Sequence, residues 1–271
     1  VVPPHIPVDL QDALRAASRV EVFTGAGMSA DSGLDTFRDA TTGLWTRVDA
    51  QAMASLDSWR RDPDPMWAWY LWRAHKARAA APNAGHLAVA RWGQALSGHL
   101  HVTTQNIDDL HERAGSTDVS HLHGSLLAFR CSVCDRPAPE PELPTEPVER
   151  LTPPACAQCG GPVRPGVVWF GEALPEKDFG EAEASMLDCD LVVIVGTSGV
   201  VYPAAGLPAL AADRGVPVVE VSPAATDLTP LATWSLRTTA AVGLPELVRA
   251  AVSSMPGQRP SASDCVDGQG R

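Results

Sequence analysis

The stretch that decides the fold runs Val20-Glu21-Val22-Phe23-Thr24-Gly25-Ala26-Gly27-Met28-Ser29-Ala30. Its first part, Val20–Thr24, is typical of a strand, and its second part has the spacing Gly-x-Gly-x-x-Ala of a dinucleotide-binding turn. In such a turn Gly25 would make the tight bend, Gly27 would let backbone N–H groups approach a pyrophosphate, and Ala30 would let a helix pack closely on the strand. An ordinary glycine-rich turn has the same pattern, so the motif alone does not decide the function.

The chain after this turn differs from that of an ordinary dehydrogenase. A dehydrogenase closes its first strand–helix–strand unit within about 30 residues and presents a ribose-binding acid about 20 residues after the glycines. Here the next predicted strand is His99-Leu100-His101-Val102-Thr103-Thr104, and Phe37, Arg38 and a tryptophan-rich helix beginning near Pro65 lie in between. The sequence therefore predicts a dinucleotide site that is not built for simple hydride transfer.

The rest of the pattern predicts an α/β fold with a doubly wound parallel sheet. The continuous apolar run Leu191–Val195 is typical of a parallel strand buried on both faces. Pro137–Pro154 is rich in proline and glutamate and is predicted to be a loop, and the tail from 254 to 271 is predicted to be disordered. The other predicted elements are the helices Leu10–Ser18, Gly85–Leu96 and Pro245–Ser253 and the strands Val216–Val221 and Ser235–Val242.

Length, hydrophobic content and net charge limit the number of domains and the kinds of partner that we expect. The chain has 271 residues, of which 45% are hydrophobic, and a formal net charge of −11. The length suits one large domain, alone or with a small satellite domain. The negative charge disfavours non-specific binding to nucleic acid or anionic membranes; it is compatible with a lysine-bearing partner, although many acidic enzymes have no such preference. Because the chain has neither a run of about 20 apolar residues nor a signal-peptide pattern, we expect a cytoplasmic protein that does not enter membranes.

Two cysteine pairs predict a metal site. Cys131-x-x-Cys134 and Cys156-x-x-Cys159 are separated by slightly more residues than the pairs of a usual zinc ribbon. Four thiolates would fill the coordination sphere of one zinc ion, so the predicted role is structural rather than catalytic. Two disulfides are the alternative. Cys189, beside a core strand, is interpreted as a buried apolar residue.

Polar residues follow the second strand and precede the cysteine pairs. Gln105-Asn106-Ile107-Asp108 places two amides and a carboxylate where ribose hydroxyls and a carboxamide could be bound. A simple polar turn after a strand could have the same sequence. His123, followed by a glycine, is a candidate general base, since an imidazole titrates near neutral pH. A lone histidine is more often structural.

Taken in order, these motifs resemble those of the sirtuins, a family of NAD-dependent protein-lysine deacylases. The resemblance covers roughly Leu10 to Val252, and a chance match to the whole ordered set is not credible. The set comprises Gly25-Ala26-Gly27-x-Ser29, Phe37-Arg38, Gln105-Asn106-Ile107-Asp108, His123-Gly124, the paired Cys-x-x-Cys motifs, Phe170-Gly171-Glu172 and Gly196-Thr197-Ser198.

The resemblance implies a sirtuin catalytic domain over residues 8–253, with a Rossmann-like large domain in discontinuous segments and a small zinc-binding domain that includes about 125–165. NAD and an acyl-lysine would meet in the cleft between them. In the family's chemistry the acyl oxygen attacks C1′ of the nicotinamide ribose and expels nicotinamide. A histidine then activates a ribose hydroxyl, and the acyl group ends on ADP-ribose. The implied catalytic residues are His123 and Asn106.

The resemblance also implies which residues bind the two substrates. An acylated peptide would pair as a β-strand between the segment around Val168 and the loop near Tyr202. The implied substrate contacts are Ala54, Tyr70, Arg73, Val168, Gly171, Glu172 and Tyr202. The implied NAD contacts are Gly25, Ala26, Gly27, Ser29, Phe37, Arg38, Trp45, Gln105, Asn106, Ile107, Asp108, Gly196, Thr197, Ser198, Ser222 and Ala240.

A tyrosine–arginine pair bears on the acyl group. Tyr70-x-x-Arg73 resembles the mark of class III sirtuins, which remove succinyl, malonyl or glutaryl groups, and Ala54 falls where that class keeps a small residue. A guanidinium and a phenol would pair an acyl carboxylate that is otherwise costly to bury. Alternatively, Arg73 is a solvated helix residue and Tyr70 is core. A mainly deacetylating sirtuin, a mono-ADP-ribosyl transferase and a non-catalytic NAD-sensing module are the rival functions.

Overall fold

The computed structural model of the protein describes residues 3–34 and 52–253. The described strands are β1 (Val20–Thr24), β2 (Leu100–Thr104), β3 (Val119–His121), β4 (Gly124–Cys131), β5 (Pro137–Ala138), β6 (Val163–Val167), β7 (Leu191–Val195), β8 (Val218–Val221) and β9 (Trp234–Leu236). The described helices are α1 (Val8–Ala16), α2 (Gly27–Ala30), α3 (Leu56–Arg61), α4 (Pro63–Ala79), α5 (Ala84–Ala95), α6 (Leu110–Ala114), α7 (Glu176–Asp188), α8 (Leu207–Ala212) and α9 (Ala240–Val252).

A six-stranded parallel sheet forms the centre of the larger part of the structure. Its strand order is β3-β2-β1-β7-β8-β9. Strand β1 pairs with β2 on one side and with β7 on the other, so that Thr24 lies opposite both Thr104 and Val195. From β1 the next strands along the chain, β2 and β3, extend the sheet toward one edge, and from β7 the strands β8 and β9 extend it toward the other edge. This reversal in the order of the strands confirms the predicted doubly wound fold. In such sheets ligands bind where the carboxyl ends of these central strands meet.

Both faces of this sheet are covered by helices. One face packs against α1, α5 and α9, with the fully buried Trp92 of α5 at its centre. The other face packs against α7 and α8 through Phe23 and Met186. Every residue of β1 and β7 is buried, as expected for strands sandwiched between two helical layers.

A second, three-stranded antiparallel sheet has the order β5-β4-β6. Helix α4 packs against it and buries Trp67 and Tyr70 in a core that also contains Phe129 and Trp169. The helix begins with Pro63, whose missing N–H costs nothing in a first turn, and its apolar residues lie on several faces because the helix is enclosed.

Several predicted boundaries differ from the structure by one or two residues, but one prediction was wrong. The strand predicted for Ser235–Val242 ends at Leu236, and α9 already begins at Ala240. Pro245, predicted to start this helix, lies inside it, and the buried residues Leu244 and Leu247 compensate for the lost hydrogen bond by packing on the sheet. Strands β3, β4 and β6 were not predicted.

Two further predictions concern irregular or apolar segments. Apart from β5, residues 137–154 contain no helix or strand, which confirms the predicted loop. The predicted disorder of 254–271 lies outside the described residues. No helix in the described ranges is both long enough and apolar enough to span a membrane.

Candidate active site

The predicted catalytic, NAD-binding and substrate-binding residues that the structure describes line one cavity of about 830 Å³ at the carboxyl ends of the central strands. A cavity of this size can enclose a dinucleotide-sized ligand. Phe37, Arg38 and Trp45 lie outside the described residues, so their NAD contacts stay predictions. The lining includes Gly25, Ala26, Gly27, Ser29, Ala54, Tyr70, Arg73, Gln105, Asn106, Ile107, Asp108, His123, Val168, Gly171, Glu172, Gly196, Thr197, Ser198, Tyr202, Ser222 and Ala240.

The glycines of the turn after β1 bring two loops into contact. The Gly27 N–H donates to the carbonyl of Gly196, which follows β7, over 2.8 Å. A Cβ on Gly27 would lie 2.7 Å from the Gly196 Cα, and one on Gly25 would lie 2.7 Å from the Thr197 Cβ. The N–H of Gly27 is thus used within the protein, and the missing side chains allow this close approach.

A buried polar cluster lies beside this turn. Asn106 Nδ2 donates to the Gly25 carbonyl (3.1 Å) and to Ser29 Oγ (3.2 Å). Ser29 Oγ donates in turn to Asp108 Oδ2 (3.0 Å), and the Leu110 N–H donates to Asp108 Oδ1 (3.1 Å). Burial raises the pKa of Asp108 in spite of these donors. Local hydrogen bonds therefore fix the amide and the carboxylate at the cavity wall.

His123 has a defined proton position. Its Nδ1 lies 2.9 Å from the carbonyl oxygen of Gln105, which can only accept, so Nδ1 carries the hydrogen. Burial lowers the pKa of His123, and the bond to Gln105 offsets this only in part. At neutral pH the imidazole is therefore uncharged, with an unprotonated Nε2 that can take up a proton.

The pKa of the neighbouring His121 is shifted in the opposite direction. Its Nδ1 donates to the Asn106 carbonyl (3.1 Å) and its Nε2 lies 2.7 Å from Glu112 Oε1. Burial opposes protonation, but the hydrogen bond and the charge of Glu112 outweigh it and raise the pKa of His121. Of these two histidines, His123 is the one suited to act as a base near neutral pH.

At the other end of the cavity, a buried carboxylate that no sequence motif indicates organises a loop. Glu220 of β8 accepts hydrogen bonds from Thr226 Oγ1 (2.6 Å), Thr229 Oγ1 (2.9 Å) and Arg237 (2.7 Å). Burial opposes ionisation, yet these donors lower the pKa of Glu220. Residues 222–227 line the cavity, so the carboxylate holds this wall in place. A glutamate inside an apolar strand was the signal in the sequence.

The tyrosine–arginine pair lies where α4 meets the cavity. Tyr70 is buried, and burial raises its pKa to about 12, so the phenol is neutral. The guanidinium carbon of Arg73 lies 5.7 Å from the centre of the Tyr70 ring and 4.7 Å from that of Trp69. Arg73 and Tyr70 both line the cavity, and Tyr70 also belongs to the core around Trp169.

The segment after β6 forms the rim expected to bind a peptide. The Val168 N–H donates to the His123 carbonyl (2.9 Å), which ties the rim to the candidate base. Glu172 does not present its carboxylate to the cavity as a lone acceptor, because it pairs with Arg164 (2.6 Å) and accepts from the Trp169 N–H (2.8 Å). Tyr202, across the cavity, is 72% exposed.

The four predicted cysteine ligands lie together beside the small sheet. The sulfur atoms of Cys131, Cys134, Cys156 and Cys159 all lie within 4.8 Å of one another, and the described thiols form no disulfide. The backbone N–H groups of Cys134 and Val133 point at Cys131 Sγ and lower the pKa of that thiol to about 6. This donor set fits a structural zinc ion.

Comparison with known proteins identifies the family. Residues 25–203 match the model of the Sir2 family. The chain is 65% identical over 237 residues to "NAD-dependent protein deacylase 2" of Corynebacterium efficiens (87% of this chain, 93% of that protein) and 59% identical over 237 residues to "NAD-dependent protein deacylase" of Corynebacterium glutamicum (87% and 92%). It also superposes on the crystal structure of a Sir2 homolog–NAD complex with a TM-score of 0.85 and 39% identity, covering 94% of this chain and 97% of that one. The chain belongs to the Sir2 family, the sirtuins.

Proposed function

We propose that this protein is an NAD-dependent protein-lysine deacylase that acts on acidic acyl groups, succinyl and malonyl, as well as on acetyl. Membership of the Sir2 family and the names of its relatives support the deacylase activity. The observation that carries the acyl preference is the placement of Tyr70 and Arg73 in the wall of the cavity.

The residues of the cavity would have different roles in the reaction. When bound, NAD supplies a ribose carbon from which nicotinamide can leave and to which the acyl oxygen can bond. Asn106, Asp108 and Ser29, fixed by their own hydrogen bonds, would hold the ribose and the carboxamide. His123 would take up a proton at Nε2 while its Nδ1–H stays bonded to Gln105.

The wall formed by α4 would select the acyl group. A succinyl or malonyl carboxylate that enters a largely apolar cavity loses its hydration, which is costly unless donors replace the water. The guanidinium of Arg73 can bind a carboxylate through two parallel hydrogen bonds, and the neutral phenol of Tyr70 can donate a third. An acetyl group has no carboxylate and gains nothing from either.

The test compares two peptides and one variant. Purified protein receives NAD and the same peptide carrying acetyl- or succinyl-lysine, and nicotinamide release is measured. We expect Arg73→Met, which keeps much of the side-chain volume, to lower the succinyl-to-acetyl ratio of kcat/KM by at least tenfold, since a charge-assisted pair is lost. An unchanged ratio would return Arg73 to a structural role. Absence of turnover on any peptide, with NAD still bound, would favour a binding module.

A further inference from the structure

Trp169 contacts the proposed acyl selector through a single directed hydrogen bond. Its indole Nε1–H donates to the hydroxyl oxygen of Tyr70 over 3.0 Å. Both side chains are buried, with 1% and 3% exposure. Because water cannot readily replace this bond, the bond determines which hydrogen-bonding role is left to the phenol.

The direction of that bond follows from the chemistry of the two groups. An indole N–H can only donate, whereas a phenol has one hydrogen and can also accept. Tyr70 therefore accepts from Trp169 and keeps its own hydrogen for another partner. Because the pKa of Tyr70 is raised to about 12, that hydrogen is present throughout the physiological range.

The indole itself is held on several sides. The guanidinium carbon of Arg164 lies 3.4 Å from the centre of the Trp169 ring, and the Trp59 ring centre lies 5.1 Å away. Arg164 is anchored in turn by a two-pronged pair with Glu172 (2.6 and 2.8 Å), and Glu172 also accepts the Trp169 backbone N–H. Rotation of the indole would break this arrangement, so its N–H keeps pointing at Tyr70.

We propose that Trp169 is a positioning residue for acyl specificity: by donating to Tyr70 it leaves the phenol as a hydrogen-bond donor toward the acyl group. With the guanidinium of Arg73, the wall then presents hydrogen-bond donors to the acyl group. A carboxylate, which only accepts, matches such a wall, and a neutral acyl group does not. This inference rests on the proposed preference for acidic acyl groups.

The test removes the indole N–H and keeps an aromatic ring. We expect Trp169→Phe to lower the succinyl-to-acetyl ratio of kcat/KM about tenfold, chiefly through KM for the succinyl peptide, because a hydrogen bond to a charged group is lost or misdirected. Calorimetric titration of succinyl peptide without NAD should show a similar rise in Kd. The matched control is Trp67→Phe, on the same helix as Tyr70 and buried against Phe129.

A double-mutant cycle separates positioning from general damage. If Trp169 acts through Tyr70, Trp169→Phe should add less than twofold to the loss caused by Tyr70→Phe alone. Fully additive losses would overturn the inference, as would an unchanged ratio in Trp169→Phe. Should Trp169→Phe fail to fold, benzothienylalanine at position 169 keeps the bicyclic shape without the N–H, and the same outcomes apply. A wild-type protein without succinyl preference would refute the proposed function itself, before any variant is made.

Discussion

Gly27 and Gly196 meet backbone to backbone at the floor of the cavity, with the Gly27 N–H bonded to the Gly196 carbonyl over 2.8 Å. Gly196 has a φ of +58°, and a Cβ added to it would lie 2.5 Å from the carbonyl carbon of Gly27. The contact joins the loops that follow β1 and β7, the two adjacent central strands at which the order of the strands in the sheet reverses. The cavity therefore depends on two glycines that are far apart in sequence.

This contact predicts an unequal cost for two glycine substitutions. Gly196→Ala should lower the free energy of unfolding by at least 3 kcal/mol, an order-of-magnitude figure, because a backbone clash adds to the roughly 1–2 kcal/mol cost of a left-handed residue. Gly215→Ala is the control, since Gly215 has a φ of +78° but nothing within 4 Å of an added Cβ. Urea unfolding measures both, and equal losses would mean that the clash is relieved cheaply.

The proton position on His123 predicts the pH dependence of turnover. In the proposed mechanism the neutral imidazole is the base, and its pKa lies below the ordinary value of 6.5 because of burial. Activity should thus be full above that pKa and fall as the pH drops through it, so the acid limb of kcat/KM has its midpoint below 6.5. A midpoint above 6.5 would assign the limb to another group.

The same residue gives a direct test of the catalytic step. His123→Ala should reduce turnover by a factor of 10² or more, the usual contribution of a general base, with a melting temperature close to that of the wild type. Thermal unfolding and nicotinamide release are measured on the same preparation. Turnover that survives in a folded variant would remove His123 from the proposed role.

The cysteine cluster predicts one bound zinc ion per chain with a structural role. Cys131→Ser should lose the ion and destabilise the small sheet, because the four thiols lie together only when that sheet and the loop between β5 and β6 are folded. Elemental analysis and thermal unfolding check this, and Cys189→Ser, buried outside the cluster, is the control. Full zinc content in Cys131→Ser would contradict the assignment.

Much of the fold was predictable because its central strands carry strong local signals. Strands β1 and β7 were located to the residue, since each is a short, buried, largely apolar run followed at once by a glycine. The end of β9 is harder to predict, because Thr239, the N-cap of α9, is equally common in strands and makes no side-chain cap hydrogen bond, and because Pro245, which is typical of a helix start, lies inside α9. Packing of α9 on the sheet decided that boundary.

The sequence predicts which residues line the site, but not the hydrogen bonds and ion pairs that connect them. Motifs placed at strand ends converge because carboxyl ends of parallel strands share one edge. The bond between Trp169 and Tyr70, however, joins residues 99 positions apart, and the pairing of Glu172 with Arg164 depends on how a rim folds back on β6. Sequence patterns along one element carry no record of such contacts.

The acyl preference of the wild-type protein tests the central claim most directly. The protein and NAD are given one peptide carrying acetyl-, succinyl- or malonyl-lysine, and nicotinamide release is compared at equal concentrations. The placement of Tyr70 and Arg73 predicts a higher kcat/KM for the succinyl or malonyl peptide than for the acetyl peptide. Turnover of the acetyl peptide alone would contradict the proposed selectivity and leave a deacetylating sirtuin.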